Sequence, residues 1–289
     1  MPQRVRLDLE LVREGLARSR RHAGELIGAG RVSVDGATAV KSATPFEAGQ
    51  VLTVAQDPHA GPEYASRAGH KLAGALDELG LHGAVGPGIK GRTCLDAGAS
   101  TGGFTDVLLR RGAAHVHAVD VGHDQLLPAL RADPRVTVRE GVNVRHLSPG
   151  DLDPAPGLVV GDLSFISLAL VLPALVGVAA PGADLLLLVK PQFEVGRERL
   201  GSGGVVRSNA QRAQAVIAVA EAAATLGLRT AAVVPSPLPG PSGNVEYFLW
   251  LVGDPTRTVP GGDLEALVQH AVKTGPTGES TAWTSGGVA

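Results

Sequence analysis

The chain has 289 residues, 44% of them hydrophobic, and 26 Lys and Arg against 28 Asp and Glu give a net charge of −2. That length allows a sizeable core and a second domain, while the near-neutral charge excludes a uniformly basic nucleic-acid binder, and 3% aromatic residues argue against base recognition on an aromatic sheet. The single cysteine, Cys94, rules out an internal disulfide framework, the longest charge-free apolar stretch (Leu168 to Ala183) is shorter than the ~20 residues of a membrane span, and no apolar signal core opens the chain, so the expectation is a cytoplasmic protein without membrane attachment.

The N-terminal stretch departs from that average, because residues 1–31 hold seven arginines against four acids. Leu7, Leu9, Leu11, Val12 and Leu16 predict one helix ending near Gly15. Ser19 is a good N-cap for a second helix, Arg20 to Ile27, closed by Gly28 and Gly30. Arg31 to Val34 and Ala37 to Val40 flank Asp35-Gly36, a hairpin turn signal, and Gly49 to Val54 adds a strand. Arg18, Arg20 and Arg21 are either a solvated helix end or a phosphate-binding cluster. The pattern R-L-D-x-x-L-V-x-x-G-L-A-x-S-R-x-x-A-x-x-L-I-x-x-G-x-V-x-V-D-G resembles the α-L type RNA-binding domain of small-subunit ribosomal protein four and of several RNA-modifying enzymes. The resemblance implies RNA contacts from Arg4, Arg6, Arg18, Arg20, Arg21 and Lys41. It gives a first domain over 1–56, followed by a linker over 57–63 with Asp-Pro and Gly-Pro steps.

The remaining chain alternates strands and helices. Tyr64 to Leu72, with Arg67 and Lys71, leads into a helix through Leu79. Thr93 to Asp96 reads as a strand, Ala97 to Gly103 as a glycine loop, and Thr105 onward as a helix whose N-terminus aims N–H groups at a ligand. His115 to Asp120 is the next strand, its carboxylate about 20 residues past the loop, where a nucleotide ribose is commonly held. Leu126 to Leu130 is a short helix and Val136 to Arg139 a third strand. Leu158 to Phe165 is a buried strand carrying Asp162, and Leu168 to Val178 its crossover helix. Asp184 to Lys190 is the most apolar strand, of the kind buried on both faces. A Gly- and Arg-rich stretch, 196–208, reads as a mobile loop. Ala210 to Leu226 is a helix, and Thr230 to Val234 and Val245 to Val252 are the last strands. This alternation implies a mostly parallel, doubly wound sheet of the α/β class.

Three readings compete for the glycine loop. A dinucleotide fingerprint fails, because Ser100 takes the second glycine position. Gly98-x-Ser100-x-Gly102 fits a nucleophile elbow, but the only histidine after His146, His270, sits in a charged terminal segment. D-x-G-x-S-x-G-G-F followed by V-D resembles the S-adenosylmethionine loop of class I methyltransferases. A tight turn in a cofactor-free protein is the bland alternative. Asp96, Asp120, Asp162 and Lys190 all fall at predicted strand C-termini, the edge where such sheets bind ligands. Lys71 reads equally as a surface helix residue, and Glu246 as an outward strand residue.

S-R-x-G-x-K-L, D-A-G-A-S-T-G-G-F-T-D, V-D-V-G-x-D-Q-L, D-L-S-F-I-S-L, L-V-K-P-Q-F-E and G-N-x-E-Y-F-L-W together resemble the TlyA family. Its members often carry the name haemolysin, and its catalytic part is of the FtsJ-like ribose methyltransferase type. The resemblance spans about residues 4–252. It implies a Rossmann-like class I methyltransferase domain over 64–253 with a seven-stranded, mostly parallel sheet; the tail over 254–289 has no clear counterpart in the family, and a helix over Asp263 to Val272 followed by disorder is expected there. It implies 2′-O-methylation of cytidine in ribosomal RNA within ribosomal subunits, with 23S RNA the first candidate and 16S RNA a second, and an effect on sensitivity to ribosome-targeting cyclic peptide antibiotics. S-adenosylmethionine is the implied donor, held by Asp96, Gly98, Ser100, Thr101, Gly102, Gly103, Phe104, Asp120, Val121, Asn143 and Asp162, with no metal. A Lys-Asp-Lys-Glu tetrad falls on Lys71, Asp162, Lys190 and Glu246, and Arg67 joins the RNA-binding set. A ribose hydroxyl is a very weak acid, so Lys190 is expected to take its proton. A non-catalytic RNA-binding or assembly factor and a pore-forming haemolysin are the alternative functions.

Overall fold

The computed structural model describes residues 5–17, 20–47, 49–55, 63–81, 86–196, 200, 202–240, 242–258 and 262–275. Contacts divide the chain at Glu63/Tyr64 into two compact units.

The first unit is a small α+β fold. Two helices, α1 (Leu7–Arg13) and α2 (Arg20–Gly28), pack Leu7, Leu11, Ala23, Leu26 and Ile27 against Val32 and Phe46. Strand β1 (Val5–Arg6) pairs antiparallel with β4 (Pro45–Phe46), and β2 (Val32–Val34) sits between β3 (Ala37–Thr38) and β5 (Leu52–Val54). The hairpin turn has positive φ at both Asp35 (51°) and Gly36 (81°), the geometry that matches the twist of flanking strands and that Asp-Gly tolerates. The pairing of β1 with β4 was outside the sequence expectation, since two-residue strands leave no alternation to read. The expected N-cap Ser19 and the linker residues 57–62 lie outside the described residues.

The second unit starts with α3 (Arg67–Leu81), and then strand and helix alternate: β6 (Thr93–Ala97), α4 (Gly103–Arg110), β7 (His115–Val119), α5 (Pro128–Arg131), β8 (Val136–Arg139), β9 (Leu158–Gly161), α6 (Leu168–Val178) and β10 (Asp184–Val189). The chain continues through α7 (Pro191–Glu194), α8 (Asn209–Ala224), β11 (Arg229–Pro235), β12 (Tyr247–Val252) and α9 (Leu264–Thr274). The seven strands form one sheet in the order β11-β12-β10-β9-β6-β7-β8. The run from β10 to β8 is parallel, and β12 alone lies antiparallel to its neighbours. This is the α/β architecture expected.

The apolar run of β10 explains the layering. Leu185, Leu187 and Val189 join a cluster with α6, α8 and α9, while Leu186 and Leu188 join a cluster with α3 and α4. Side chains alternate across a strand, so a continuous apolar run means helices on both faces. Helix α6 starts where expected because Ser167 caps it, and Glu194 completes the cap by accepting from Leu168 N at 2.9 Å and Ser167 Oγ at 2.6 Å. Helix α7 was not expected, and α5 begins two residues later than read, after Leu127. The expected mobile loop is fastened where it is described: Val206 N donates to Asn244 Oδ1 at 2.9 Å, and buried Arg212 donates from Nε to Val206 O at 2.9 Å.

Asp184 starts β10 at the sheet edge away from the glycine loop. It is fully buried and accepts from Arg92 Nη1 at 2.6 Å, Arg257 Nη1 at 2.8 Å and Trp250 Nε1 at 3.1 Å. Removing a buried carboxylate strands its cationic partners. Asp184→Ala is therefore expected to cost about 3 kcal/mol of stability, read as a lowered midpoint in urea unfolding.

Candidate active site

The site grows from the sheet edge where β6, β7, β9 and β10 end. After β6 the chain turns through Gly98 (φ 85°), Ser100 (φ 46°) and Gly102 (φ 96°) into α4. A Cβ at Gly102 would run into Leu126 and Leu130, and one at Gly98 would press on Leu163 and the Asp162 carbonyl. Only glycine combines that backbone sign with that closeness. Gly98 N and Ala99 N donate to Val119 O at 2.8 and 3.1 Å, which fixes the loop to the end of β7.

Asp120, just past β7, closes the loop. Its Oδ2 accepts from Ser100 N at 2.8 Å and its Oδ1 from Gly122 N at 2.7 Å, while Ser100 Oγ donates to Gln125 Oε1 at 3.1 Å. Val142 N donates to Asp120 O at 3.0 Å. Asn143, the next residue, caps a short helical turn through Arg145 N. Val121 beside Asp120 is 63% exposed, an apolar side chain left open at the lip. Phe104 turns the other way, into the core, and stacks on Phe248 with centroids 6.0 Å apart.

Asp96 is fully buried at the penultimate position of β6. Thr105 Oγ1 donates to its Oδ2 at 2.6 Å, and its Oδ1 has no partner. Burial pushes this carboxyl up to about 7 against the lowering effect of Thr105, and the Asp162 and Asp120 charges add to the rise. An unsatisfied buried carboxylate oxygen is costly, so a cation or donor from a ligand would fit there.

Two lysine–carboxylate pairs complete the edge. Lys71, reached from α3, places Nζ 2.6 Å from Glu246 Oε2, both groups buried. Lys190, at the end of β10, places Nζ 2.7 Å from Asp162 Oδ1 and donates to Ser164 Oγ at 2.7 Å. In the β10–β12 register Val189 faces Tyr247, so Lys190 and Glu246 extend from adjacent strand ends. The surface readings of Lys71 and Glu246 are overturned: both are anchored in the interior because each supplies the other's counter-charge. Four residues outside the expected set take part: Ser164, Thr105, Gln125 and Gln192, the last with Nε2 3.5 Å from Glu246 Oε1. Ser164 and Gln192 lie inside recognisable motifs, but nothing in a sequence says which way they point. The aromatic pair Phe165 and Phe193 sits beside Lys190, with ring centroids 5.1 Å apart and Lys190 Nζ 6.0 Å from the Phe193 ring.

Arg67, exposed at the start of α3, donates to Pro239 O at 3.0 Å. In the first unit Arg6 and Arg20 both reach Asp8, and Lys41 is exposed. Arg4, Arg18 and the Arg21 side chain lie outside the described residues.

Residues 64–252 match the FtsJ-like methyltransferase family and residues 5–52 the S4 domain. A 16S/23S rRNA (cytidine-2′-O)-methyltransferase TlyA of Mycobacterium tuberculosis is 54% identical over 276 residues, covering 96% of this chain and all of that one. Hemolysin A of Brachyspira hyodysenteriae is 35% identical over 84% of this chain and 98% of its own. A solved structure of a haemolysin-named protein from Streptococcus thermophilus superimposes with a TM-score of 0.70 at 35% identity, covering 94% of this chain and 97% of that one.

The Asp96 carboxyl yields a signed pH dependence. Unfolded it titrates near 4, folded at about 7. Between those values the folded chain holds a proton that the unfolded chain has released, so this residue's contribution to stability falls as pH rises through that window. Asp96→Asn stays neutral and is expected to remove that fall. Urea unfolding of both proteins at about pH 5 and about pH 8 checks it; identical pH trends would mean that the folded carboxyl is already ionised at the lower pH.

Proposed function

The chain belongs to the FtsJ-like methyltransferase family, in its TlyA branch, and from that premise we propose that it methylates the ribose 2′-hydroxyl of cytidines in ribosomal RNA, with 23S RNA as first substrate and 16S RNA as second. The observation that carries the reading is the meeting, on one sheet edge, of a glycine loop, a buried carboxylate with a free oxygen and two buried lysine–carboxylate pairs.

The residues present fit S-adenosylmethionine. Gly98 and Gly102 let the loop turn tightly against Leu163, Leu126 and Leu130, the free Asp96 oxygen suits the ammonium of the donor's amino-acid part, and Asp120 is assigned its ribose hydroxyls. Bound there, S-adenosylmethionine supplies an electrophilic methyl group. Asn143, Val121, Ser100, Thr101 and Gly103 line the same edge and complete the proposed cofactor set, with Phe104 shaping it from beneath.

Transfer to oxygen is an in-line displacement in which positioning dominates. Lys190 is assigned the proton of the 2′-hydroxyl, which it can take only as the uncharged amine, its own extra proton having first left to solvent, and Asp162 and Ser164 hold its Nζ in place from two sides. Glu246 holds Lys71 as a second cation near the same edge, steadying the developing alkoxide. Arg6, Arg20, Lys41 and Arg67, with Arg4, Arg18 and Arg21, supply the contacts to RNA phosphates. The reading extends to a changed response of ribosomes to cyclic peptide antibiotics when the methyl group is missing. Although some relatives carry a haemolysin name, no helix among the described residues is long and apolar enough to cross a membrane.

Two expectations test this reading. Asp120→Ala is expected to weaken S-adenosylmethionine binding roughly tenfold or more by calorimetry, with RNA affinity retained; unchanged cofactor affinity would remove the ribose role. Lys190→Ala is expected to abolish methyl transfer to unmodified ribosomal subunits in single-turnover assays with labelled donor, while both ligands still bind. Lys190→Arg separates the two roles open to the ammonium, since arginine keeps the charge and does not act as a base at ordinary pH. A fully active arginine variant would refute proton acceptance, and wild-type protein that binds donor and RNA without transfer would leave a non-catalytic RNA-binding factor.

A further inference from the structure

We propose that Asp8 is a positioning residue for RNA docking, gathering Arg6 and Arg20 into a fixed pair of guanidiniums beside the loop that carries Lys41. The inference rests on the reading of those three cations as RNA contacts and goes one step below it.

The geometry is specific. Asp8 has a side chain only 5% exposed, yet it lies in the stretch 1–31, where arginines outnumber acids. Arg6 forks onto it, Nε to Oδ1 and Nη2 to Oδ2, both at 3.0 Å. Arg20, the first residue of α2 and twelve positions away, reaches the same Oδ2 from Nη2 at 3.0 Å and from Nε at 3.3 Å. The Asp8 backbone N–H donates to Ser42 O at 3.1 Å, and Leu7 N donates to Thr44 O at 2.9 Å. Gly24 of α2 has room for no more than ordinary contact with Ser42 Oγ. The buried carboxylate thus ties the β1–α1 junction to the start of α2, while the backbone of Leu7 and Asp8 holds the 42–44 turn next to Lys41. Both arginine side chains remain half exposed, at 47% and 58%, so the pair stays available to a ligand.

Two guanidiniums repel each other, and free arginines lose rotamer freedom when they bind. A shared carboxylate cancels one charge of the pair and orders both forks before RNA arrives, which suits the planar, bidentate recognition of phosphate oxygens. The Arg6 hydrogen bond holds the Asp8 carboxyl down at about 2, against its burial, so the clamp is charged throughout the working range.

The test turns on a sign. Bulk electrostatics says that Asp8→Asn, by removing a negative charge, strengthens RNA binding. The clamp says the reverse: KM for unmodified ribosomal subunits rises roughly tenfold without a matching fall in kcat, and S-adenosylmethionine affinity holds. The same change is then made in the Arg6→Ala, Arg20→Ala double variant, where it is expected to add nothing, because Asp8 acts through those two side chains. A lowered or unchanged KM in Asp8→Asn overturns the proposal. So does a second, full-sized rise in the double-variant background, which would make Asp8 a plain fold determinant. If the double variant itself binds subunits normally, the reading of Arg6 and Arg20 as RNA contacts falls first, and the outcome is distinguishable from failure of the clamp alone.

Discussion

The second unit depends on how a charge can sit at the end of an apolar strand. Strand β10 offers six buried residues and then Lys190, itself buried. Taking an ammonium out of water costs several kcal/mol unless a partner of opposite charge meets it with good geometry. Asp162 provides that partner from the end of the neighbouring parallel strand, and the pair Lys71–Glu246 repeats the arrangement one strand over, with β12 running antiparallel so that its beginning, not its end, lies at the same edge. The one reversed strand in the sheet is what lets a glutamate 54 residues downstream of Gln192 complete the constellation.

The glycine loop obeys a complementary constraint. Its backbone is held to Val119 and Asp120, and its empty Cβ positions are bounded by Leu126, Leu130 and Leu163. Apolar packing therefore fixes the path of the loop, while Asp96 keeps one oxygen unpaired in the interior.

Much of this was legible in the residues. Helix α6 runs over Leu168–Val178 as read, because Ser167 caps it and an apolar run fills it. The sheet-edge acids and Lys190 were legible because polar residues interrupt strands that have no other reason to stop. Lys71 and Glu246 were legible only through the family resemblance, since a lysine on a helix and a glutamate flanked by Val245 and Tyr247 both satisfy a surface pattern; their mutual pairing, 175 residues apart in sequence, is what moves them inside. The β1–β4 pairing and α7 escaped for a different reason: elements of two and four residues are too short to show a period. Phe104 belonged to the loop motif by position, but its side chain answers to the core, where Phe248 meets it.

The cap that Glu194 makes on α6 joins two stretches of chain that each carry half of an ion pair. Asp162 and Ser164 lie just ahead of Ser167, and Lys190 lies just ahead of Glu194. The carboxyl is partly withdrawn from water, and burial raises its titration point, so the clasp is not a loose surface bond. Helix α6 in turn buries Val171, Leu172 and Leu175 in the cluster it shares with α8. The sheet edge with its two lysine–carboxylate pairs is in this way geared to the α6–α8 layer of the unit, and it has little freedom to fray on its own. Within the second unit, heat should then extinguish activity together with the unfolding of the α6–α8 layer, not at a separate, lower step.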